Sequence, residues 1–307
     1  MKKHLSFLVA FAMMFAIGCT SSPADQGENT TEDPNQLIVA TYNIDAKSKP
    51  DVAAQSKQMA DNNVQIVGLQ EVDNETKRNP YDVAEKFTQD SPYTAVHFTN
   101  CIGFQGGEYG IATVSVFPIE EETETKLYSD EFAGEDVAEE LAYAYEINDP
   151  DDPETGKVMD EVTEKNPVEP RYIQRSLIDV NGKKVAFYNT HLSYEDMDLR
   201  QKQLDTLKET LDNDDAEYII AVGDFNADQT TKEFTRFKES YQLSNGKDGI
   251  WMDTYNGTDD QLGINDQMKV DSIDNVIVSK NIEIKDVRML QNTLSDHNPL
   301  IVTLELK

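Results

Sequence analysis

Eight short apolar runs recur along the chain, and they constrain its fold more than any other feature. Each run is rich in Val, Ile, Tyr or Phe and is bounded by polar or turn residues, a composition typical of β-strands. Asn181 and Gly182 separate two of the runs, and Asn-Gly is a strong hairpin signal. The runs occupy residues 37–43, 64–71, 109–117, 175–180, 184–191, 217–226, 272–279 and 299–306.

Helical periodicity occurs between these strands. Residues 51–63, 82–89 and 195–211 show it, and in the last segment leucines spaced i, i+3, i+7 form one apolar face. Mixed strands and helices with one local antiparallel pair predict an α+β fold, in which packed sheets are flanked by helices. No fixed-period repeat is visible in the sequence, which argues against solenoids and propellers.

The charge balance is strongly acidic. The 307 residues include 27 Lys or Arg and 58 Asp or Glu, which gives a formal net charge of −31. Such a surface repels nucleic acid and anionic membranes unless a local basic patch or a metal ion intervenes. The composition therefore disfavours a nuclease without excluding one.

The N-terminal segment has the composition of an export signal and a tether. Two lysines precede a short apolar region, which predicts a signal peptide over residues 1–18. The sequence AIGC at its end resembles a bacterial lipobox, in which Cys19 becomes the lipidated first residue, although Ala16 stands where Leu is more usual. Ordinary cleavage that leaves a free N-terminal cysteine is the alternative. The polar residues 19–36 predict a flexible tether, so we expect an exported lipoprotein, membrane-anchored on the cell surface or the periplasmic side.

Residues 37–307 are predicted to form the folded domain, which contains one atypical segment. Residues 119–170 hold 19 Asp or Glu against three Lys, together with four Pro. We interpret this segment as an acidic surface insertion between two strands, with a short helix in EDVAEELAYAYE. A calcium loop is the sharper alternative, but the segment lacks the ordered EF-hand pattern. Cys101, the only cysteine of the domain, is predicted to be a small packed residue.

Polar side chains adjoin five of the strands, four at a strand end and one just before the final strand, and together they indicate one shared edge of the sheets. Carboxylate and amide oxygens suit Mg²⁺ or Mn²⁺, and histidines beside carboxylates can carry protons near neutral pH. Zinc is disfavoured because His and Cys are not clustered, and no G-x-S-x-G motif supports a serine nucleophile. The residues are Asn43, Glu71, His191, Asp224, Asn226, Asp296 and His297.

The motifs of the domain resemble, in their order, those of the endonuclease/exonuclease/phosphatase superfamily. They are TYNI, GLQEV, YGIATVSVFPI, NTHLSYE, RQKQL, VGDFNA, SIDNVIVS and LSDHNPLIV, and they run from about Leu37 to Leu306. Each motif is weak alone, whereas the ordered set ending in SDH is specific. The resemblance implies the deoxyribonuclease I-like fold, a four-layer α/β/β/α sandwich, and hydrolysis of a phosphate ester that depends on Mg²⁺ or Mn²⁺.

The resemblance also implies how metal and phosphate are held. Glu71 would be the principal metal ligand, with Asn43 near the metal and the phosphate. Asp296 would support the metal or the adjacent network. Arg171 of EPRYIQR would grip the phosphate, and Arg175 of the same motif is the alternative. Either arginine could instead be a surface ion-pair partner.

The remaining residues would carry out an in-line attack of water on phosphorus. Asp224 and Asn226 would orient the attacking water and the phosphoryl oxygens. His297 would act as a base or contact the phosphate, polarised by Asp274. His191 would contact the phosphate or help to protonate the leaving oxygen.

Two points of the motif pattern stay open. Asp271 is an alternative to Asp274, although the family pattern favours Asp274 because it directly precedes NVIVS. Ile111 follows the Gly of YG, where the family often has Asn. That departure puts catalytic efficiency in doubt more than the class of reaction.

We therefore expect an exported, lipid-anchored, monomeric phosphoesterase that hydrolyses a phosphodiester or a phosphomonoester. The shortage of Lys and Arg favours a small phosphoester or a lipid head group, and an endonuclease acting on DNA or RNA is an alternative. A catalytically inactive surface lipoprotein that uses the fold for binding is the alternative from another class, and the complete residue set argues against it. A lid over the site that narrows substrate choice is conjectured for residues 119–170.

Overall fold

The computed structural model describes residues 34–228, 231–256 and 272–307, and Pro34–Lys307 forms one compact unit. The predicted signal peptide, Cys19 and most of the predicted tether lie outside the described residues, as does Asp271. Within the described part of the chain, no helix is long and apolar enough to cross a membrane.

Two six-stranded mixed sheets form the centre of the molecule. The strands are β1 Gln36–Asn43, β2 Ile66–Asn74, β3 Ala95–Phe104, β4 Gly107–Ser115, β5 Ile119–Lys126, β6 Tyr172–Val180, β7 Lys183–His191, β8 Tyr218–Asp224, β9 Tyr241–Leu243, β10 Asp274–Ser279, β11 Ile282–Met289 and β12 Leu300–Leu306. Sheet A has the order β11-β12-β1-β2-β4-β3, and sheet B has the order β5-β6-β7-β8-β10-β9. Each sheet has one parallel pair near its middle, β1 with β2 in sheet A and β7 with β8 in sheet B.

Helices surround the two sheets. They are α1 Val52–Asp61, α2 Val83–Thr88, α3 Glu135–Ile147, α4 Pro153–Thr163, α5 Met197–Asp212 and α6 Lys232–Thr235. Aspartates at the N-caps of α1, α2 and α5 accept hydrogen bonds from backbone N–H groups of the first turn, which satisfies donors that a helix leaves unpaired.

Three buried apolar clusters lie between these layers and pack them together. One lies between the sheets and includes Val39 of sheet A and Val222 of sheet B. A second joins the outside of sheet B to the leucine face of α5, and a third joins the outside of sheet A to α1 and α2. The order of layers is therefore α/β/β/α, which confirms the predicted four-layer sandwich.

The predicted hairpin is confirmed. Strands β6 and β7 are antiparallel, with Val180 opposite Lys183. Asn181 and Gly182 between them have φ of 55° and 87°. Both values lie in the left-handed region, which Asn and Gly tolerate best and which a tight hairpin turn of this type requires.

The boundary of the predicted acidic insertion is wrong at its start. Residues 119–126 form β5, an edge strand of sheet B paired with β6, rather than part of a loop. The glutamates of β5 are exposed, and charge on an edge strand prevents pairing with another chain. The sequence signal for a strand was hidden because neither face of this segment is apolar.

The rest of the insertion is folded. It contains the predicted helix α3 and a second, unpredicted helix, α4, which share a small apolar cluster with β3. Pro153 occupies the first turn of α4, where proline is well tolerated, and Asp152 caps the helix.

Candidate active site

Asn43 connects the two sheets at the end of β1. Its side-chain amide donates to Glu71 Oε1 at 3.1 Å and to Asp224 Oδ2 at 3.2 Å. Glu71 belongs to sheet A and Asp224 ends a strand of sheet B. One amide group therefore joins a carboxylate of each sheet, and Asn43 and Asp224 are 181 positions apart in the sequence.

Glu71 lies on an irregular part of β2. The register with β4 shifts between Leu69 and Val72, and Glu71 has φ of 57°. A non-glycine residue in this left-handed region is strained, and such strain concentrates at functional sites. Burial raises the pKa of Glu71, while the Lys47 charge and the Asn43 hydrogen bond lower it.

Asp224, Asp274 and His297 form a buried cluster. His297 Nδ1 lies 2.8 Å from Asp274 Oδ2, and His297 Nε2 lies 3.6 Å from Asp224 Oδ2. Asp224 and Asp274 are opposite each other on the antiparallel strands β8 and β10, which places both carboxylates beside one imidazole.

The pKa values of this cluster diverge. Burial and the neighbouring Asp274 carboxylate raise the pKa of Asp224 to about 7. Burial lowers the pKa of His297, but the Asp274 and Asp224 carboxylates outweigh it and raise the value to about 10. Near neutral pH, His297 is therefore a cation and Asp224 is poised to exchange a proton.

His191 and Asn226 complete this side of the site. His191 Nε2 lies 3.5 Å from Asp224 Oδ2, and burial together with the charge of Arg171 holds the pKa of His191 well below its usual range. Asn226 has φ of 46°, and its side-chain amide donates to Leu192 O at 2.8 Å. Its backbone N–H donates to Asp224 Oδ1 at 3.0 Å, which fixes the carboxylate orientation.

Asp296 lies beside Lys47, and its charge also acts on His297. Lys47 Nζ is 3.7 Å from Asp296 Oδ2 and 3.8 Å from Asp45 Oδ1. Burial lowers the pKa of Lys47, but the charges of Glu71, Asp296 and Asp45 raise it overall. One ammonium group thus sits among three carboxylates.

The two candidate phosphate arginines lie in different surroundings. Arg171 is 4% exposed and pairs with Glu169 at 3.1 Å, within electrostatic range of His191. Arg175 donates to both carboxylate oxygens of Asp214, at 2.6 and 3.3 Å. Both arginines therefore have an ion-pair partner, and it is the charge of Arg171 that acts on His191.

Comparison with protein families identifies the chain. The model of the Endonuclease/Exonuclease/phosphatase family matches residues 40–297. The chain belongs to this family. The match contains every residue of the geometry described above, from Asn43 to His297. Members of the family hydrolyse phosphoester bonds, so the protein is a phosphoester hydrolase.

Solved structures share the family fold. A mannosyl-6-phosphatase from Bacteroides thetaiotaomicron VPI-5482 is 19% identical, with a TM-score of 0.57 over 87% of this chain and 99% of that one. A family member from Bacteroides vulgatus is 16% identical, with a TM-score of 0.61 over 89% and 99%. The human Nocturnin catalytic domain is 15% identical, with a TM-score of 0.58 over 89% and 94%. A search of curated protein sequences returned no significant match.

Enzymes of this family commonly depend on a divalent metal, and the residues of this site fit one. The Lys47 ammonium lies 3.8 Å from Asp45 and 3.7 Å from Asp296 and feels the charge of Glu71, so positive charge is already favoured here. Oxygen donors of this kind suit hard divalent ions. The Asp224–Asp274–His297 group offers a second set of ligand atoms within 4.8 Å of one another.

Sequence reasoning missed three residues of the site. Lys47 and Asp45 come from the irregular segment after β1, and the Tyr255 ring contacts the His297 ring edge-on at 5.0 Å between centroids. Asp45 is two residues from Asn43, so the pattern Asn-x-Asp was available as a signal. No local pattern marks Lys47 or Tyr255, because their positions depend on how the loops fold.

Two further residues can now be placed. Ile111 is buried in β4, where its carbonyl lies 3.4 Å from the Gln174 amide. Cys101 is a free, half-buried thiol, and burial raises its pKa to about 12. A thiol with this pKa stays protonated near neutral pH and is a poor nucleophile.

Proposed function

We propose that the protein is a phosphoesterase dependent on Mg²⁺ or Mn²⁺ that hydrolyses a phosphomonoester or phosphodiester by in-line attack of water. The observation that carries the proposal is the Asn43 amide, which bridges Glu71 on one sheet and Asp224 on the other. An oxygen-rich ion site and a His–Asp pair thereby adjoin, as phosphoryl transfer to water requires.

Glu71, Asn43 and Asp296 would hold the ion. When bound, it would neutralise the negative charge of the phosphoryl oxygens and so favour attack on phosphorus. Arg171 supplies a second, permanently positive group for the same oxygens.

The remaining side chains orient the reactants and move protons. Asp224 accepts a proton from the attacking water, and Asn226 fixes the orientation of that carboxylate. His297, held protonated by Asp274, donates a hydrogen bond to a phosphoryl oxygen. His191 contacts the phosphate beside the leaving oxygen, which takes up a proton from water as its bond to phosphorus breaks.

Hydrolysis of an aryl phosphate and an aryl phosphodiester tests the proposal. The purified protein should turn over at least one of them with Mg²⁺ or Mn²⁺, and EDTA should abolish the activity. His297→Ala should lower kcat/KM by about 10²–10⁴. His97→Ala is a matched control, because each histidine is 4% exposed but His97 contacts Ser176 instead.

Unchanged activity in His297→Ala would refute the mechanism. An absence of turnover across phosphomonoesters, phosphodiesters and DNA would favour the inactive binding lipoprotein. DNA belongs in the panel because the net charge of −31 disfavours a nucleic-acid substrate without deciding the matter.

The two arginines provide a second matched pair. Arg171→Met should raise KM and lower kcat for any phosphoester, since a buried cation beside His191 would be lost. Arg175→Met should leave turnover intact, because Arg175 pairs with Asp214 and is not among the charges that act on His191. Equal losses in both variants would contradict the assignment of Arg171 to the phosphate.

We also propose export and lipid anchoring through Cys19. The support is the lipobox-like AIGC and the polar segment that follows it. Mass spectrometry of the protein expressed in a bacterium should detect a diacylglycerol-modified Cys19 at the mature N-terminus. A freely secreted, unmodified chain would refute the anchor.

A further inference from the structure

A group of polar side chains borders the catalytic residues on the side of Arg171. We call it the rim cluster, and its members are Tyr109, Tyr145, Glu169, Arg171, Tyr194 and Glu195.

The register of sheet B places the rim cluster beside the reacting centre. β6 and β7 are antiparallel, and Thr190 Oγ1 donates to Tyr172 O at 2.9 Å. Arg171, which precedes β6, is therefore level with His191, which ends β7. Tyr194 and Glu195 follow His191 in the next turn of chain. Burial and the neighbouring Glu195 carboxylate raise the pKa of Tyr194, and the Glu71 charge adds to this shift, so the rim cluster also lies within electrostatic range of Glu71.

The acidic insertion fixes one wall of the rim cluster. Tyr145 of α3 donates to Glu169 Oε1 at 2.6 Å, and Glu169 in turn pairs with Arg171 Nη2 at 3.1 Å. The backbone N–H of Arg171 donates to Ser129 Oγ, also in the insertion, at 3.0 Å. These contacts hold Arg171 and Glu169 in fixed positions relative to the site.

The charges of the rim cluster discriminate between leaving groups. One arginine and two glutamates give it a formal charge of −1, and the Arg171 charge is already shared between Glu169 and, in the proposed function, the reacting phosphate. A second phosphate group placed here would face two carboxylates and be repelled. A neutral hydroxyl group would not, and it can donate a hydrogen bond to either carboxylate.

Two polar atoms of the rim cluster have unused hydrogen-bonding capacity. Arg171 Nε and Glu195 Oε2 are buried and have no hydrogen-bond partner among the described residues. One is a donor and the other an acceptor, and burying either without a partner is costly. Arg171 Nε can be satisfied by any acceptor, including the reacting phosphate, whereas Glu195 Oε2 needs a donor. A hydroxyl group supplies that donor, and a second phosphate near neutral pH does not. The Tyr194 side chain, 41% exposed, adds an aromatic surface beside them.

We propose that the rim cluster is the subsite for the alcohol portion of the substrate and that it selects a neutral polyhydroxyl group, such as a hexose. Adjacent hydroxyls of a sugar ring supply donors and acceptors at the spacing of neighbouring side chains, and the apolar face of the ring packs on tyrosine. The inference rests on the proposed function and narrows it to the phosphomonoester of a polyol.

Steady-state hydrolysis of three substrates tests the subsite. They are a hexose phosphorylated on its primary hydroxyl, the corresponding hexose bisphosphate, and p-nitrophenyl phosphate. The wild-type enzyme should prefer the hexose monophosphate. Glu195→Gln should lower the ratio of kcat/KM for hexose monophosphate over p-nitrophenyl phosphate by about tenfold, since a hydrogen bond to a charged acceptor is weakened. The same variant should narrow the preference for monophosphate over bisphosphate.

Glu209→Gln is the matched control, because Glu209 is an exposed glutamate on α5. It should leave both ratios unchanged. If Glu195→Gln does not fold, Glu195→Asp should show the same loss of hexose preference, because its carboxylate is retained but withdrawn from the subsite.

A wild-type enzyme that hydrolyses p-nitrophenyl phosphate but shows no preference for the hexose would overturn the subsite and leave the phosphoesterase intact. A parallel fall for all three substrates in Glu195→Gln would also overturn it, because the residue would then support only the fold. An absence of turnover on every phosphoester would refute the proposed function and the subsite together.

Discussion

The space between the two sheets is apolar at one end and polar at the other. The inward side chains of β7 read Val185, Phe187, Asn189 and His191, and those of β8 end on Asp224. Val185 and Phe187 belong to the apolar cluster between the sheets, whereas His191 and Asp224 are catalytic candidates. All five are at least 93% shielded from solvent.

This difference shows that the catalytic residues lie in the same buried space between the sheets as the apolar core, and not in a separate surface depression. Side chains at i and i+2 of a strand share a face, so the strands that direct Phe187 inward also direct His191 inward. The low dielectric of the space strengthens electrostatic effects, which is why the pKa of Asp224 is raised.

The largest expected effect separates activity from stability at the polar end. Asp224→Asn should lower kcat/KM by about 10²–10⁴, because the proton acceptor is lost. The same change should stabilise the metal-free protein. The pKa of Asp224 is about 7 in the folded protein against an ordinary 3.8, so the folded state binds the proton more tightly than the unfolded state. The free energy of unfolding of the wild type should therefore fall as pH rises from about 4 to about 7.

Chemical denaturation with EDTA present, at several pH values, measures this effect. The advantage of Asp224→Asn over wild type should grow from pH 4 to pH 7. Asp205→Asn, an exposed aspartate on α5, should shift neither stability nor activity appreciably. A variant that is less stable than wild type at pH 7 would show that the polar end contributes net stability.

The next largest effect should appear at the apolar end. Phe187→Ala removes a fully buried ring from the cluster between the sheets, so the free energy of unfolding should fall by about 3–5 kcal/mol. Urea denaturation measures the loss, and the folded fraction should keep its kcat/KM. Phe132→Ala, at a ring that is 38% exposed on the insertion, should cost far less. A large fall in kcat/KM with little loss of stability would show that Phe187 supports catalysis, so that the apolar and polar ends could not be treated as separate.

A site residue could be predicted from the sequence when its position follows from its neighbours along the chain, and could not when its position depends on how distant segments fold together. Asn43, His191 and Asp224 could be predicted because each ends an apolar run, and strand ends are visible in the pattern. Asp296 and His297 could be predicted from the ordered motifs. Lys47 and Tyr255 could not, because irregular loops deliver them and no spacing rule fixes where a loop folds.

Buried polar residues inside strands were equally invisible to sequence reasoning. Gln70 Nε2 donates to Asn189 Oδ1 at 2.7 Å between the sheets, and Thr113 Oγ1 donates to Gln174 Oε1 at 2.6 Å. We call these four residues the seam. In a single sequence such a residue suggests the solvent face of a strand, since only the packing of one sheet on the other provides its partner.

The seam should show an intermediate effect. Asn189 donates to Leu69 O and Ala112 O and accepts from Gln70, so Asn189→Ala leaves several buried groups without partners. We expect a loss of about 1–3 kcal/mol in the free energy of unfolding. Asn213→Ala, at the exposed end of α5, serves as the control. A neutral result for Asn189→Ala would mean that the seam specifies alignment of the sheets without stabilising them.

The smallest effect is expected at the sheet edge, where His97 Nδ1 and Ser176 Oγ lie 2.9 Å apart. Ser176→Ala removes one neutral hydrogen bond between β3 and β6 and should cost about 0.5–1.5 kcal/mol, without altering kcat/KM. A thermal melt of Ser176→Ala alone and combined with His97→Gln measures the coupling between the two side chains.

The same pair resembles part of a catalytic triad. Glu124 approaches His97 Nε2 at 3.7 Å, so Ser176, His97 and Glu124 follow the order of nucleophile, base and acid, yet Ser176 is fully buried. Retained phosphoesterase activity in Ser176→Ala would therefore show that catalysis takes place at the polar end alone. A loss of activity would show that Ser176 and His97 take part in catalysis.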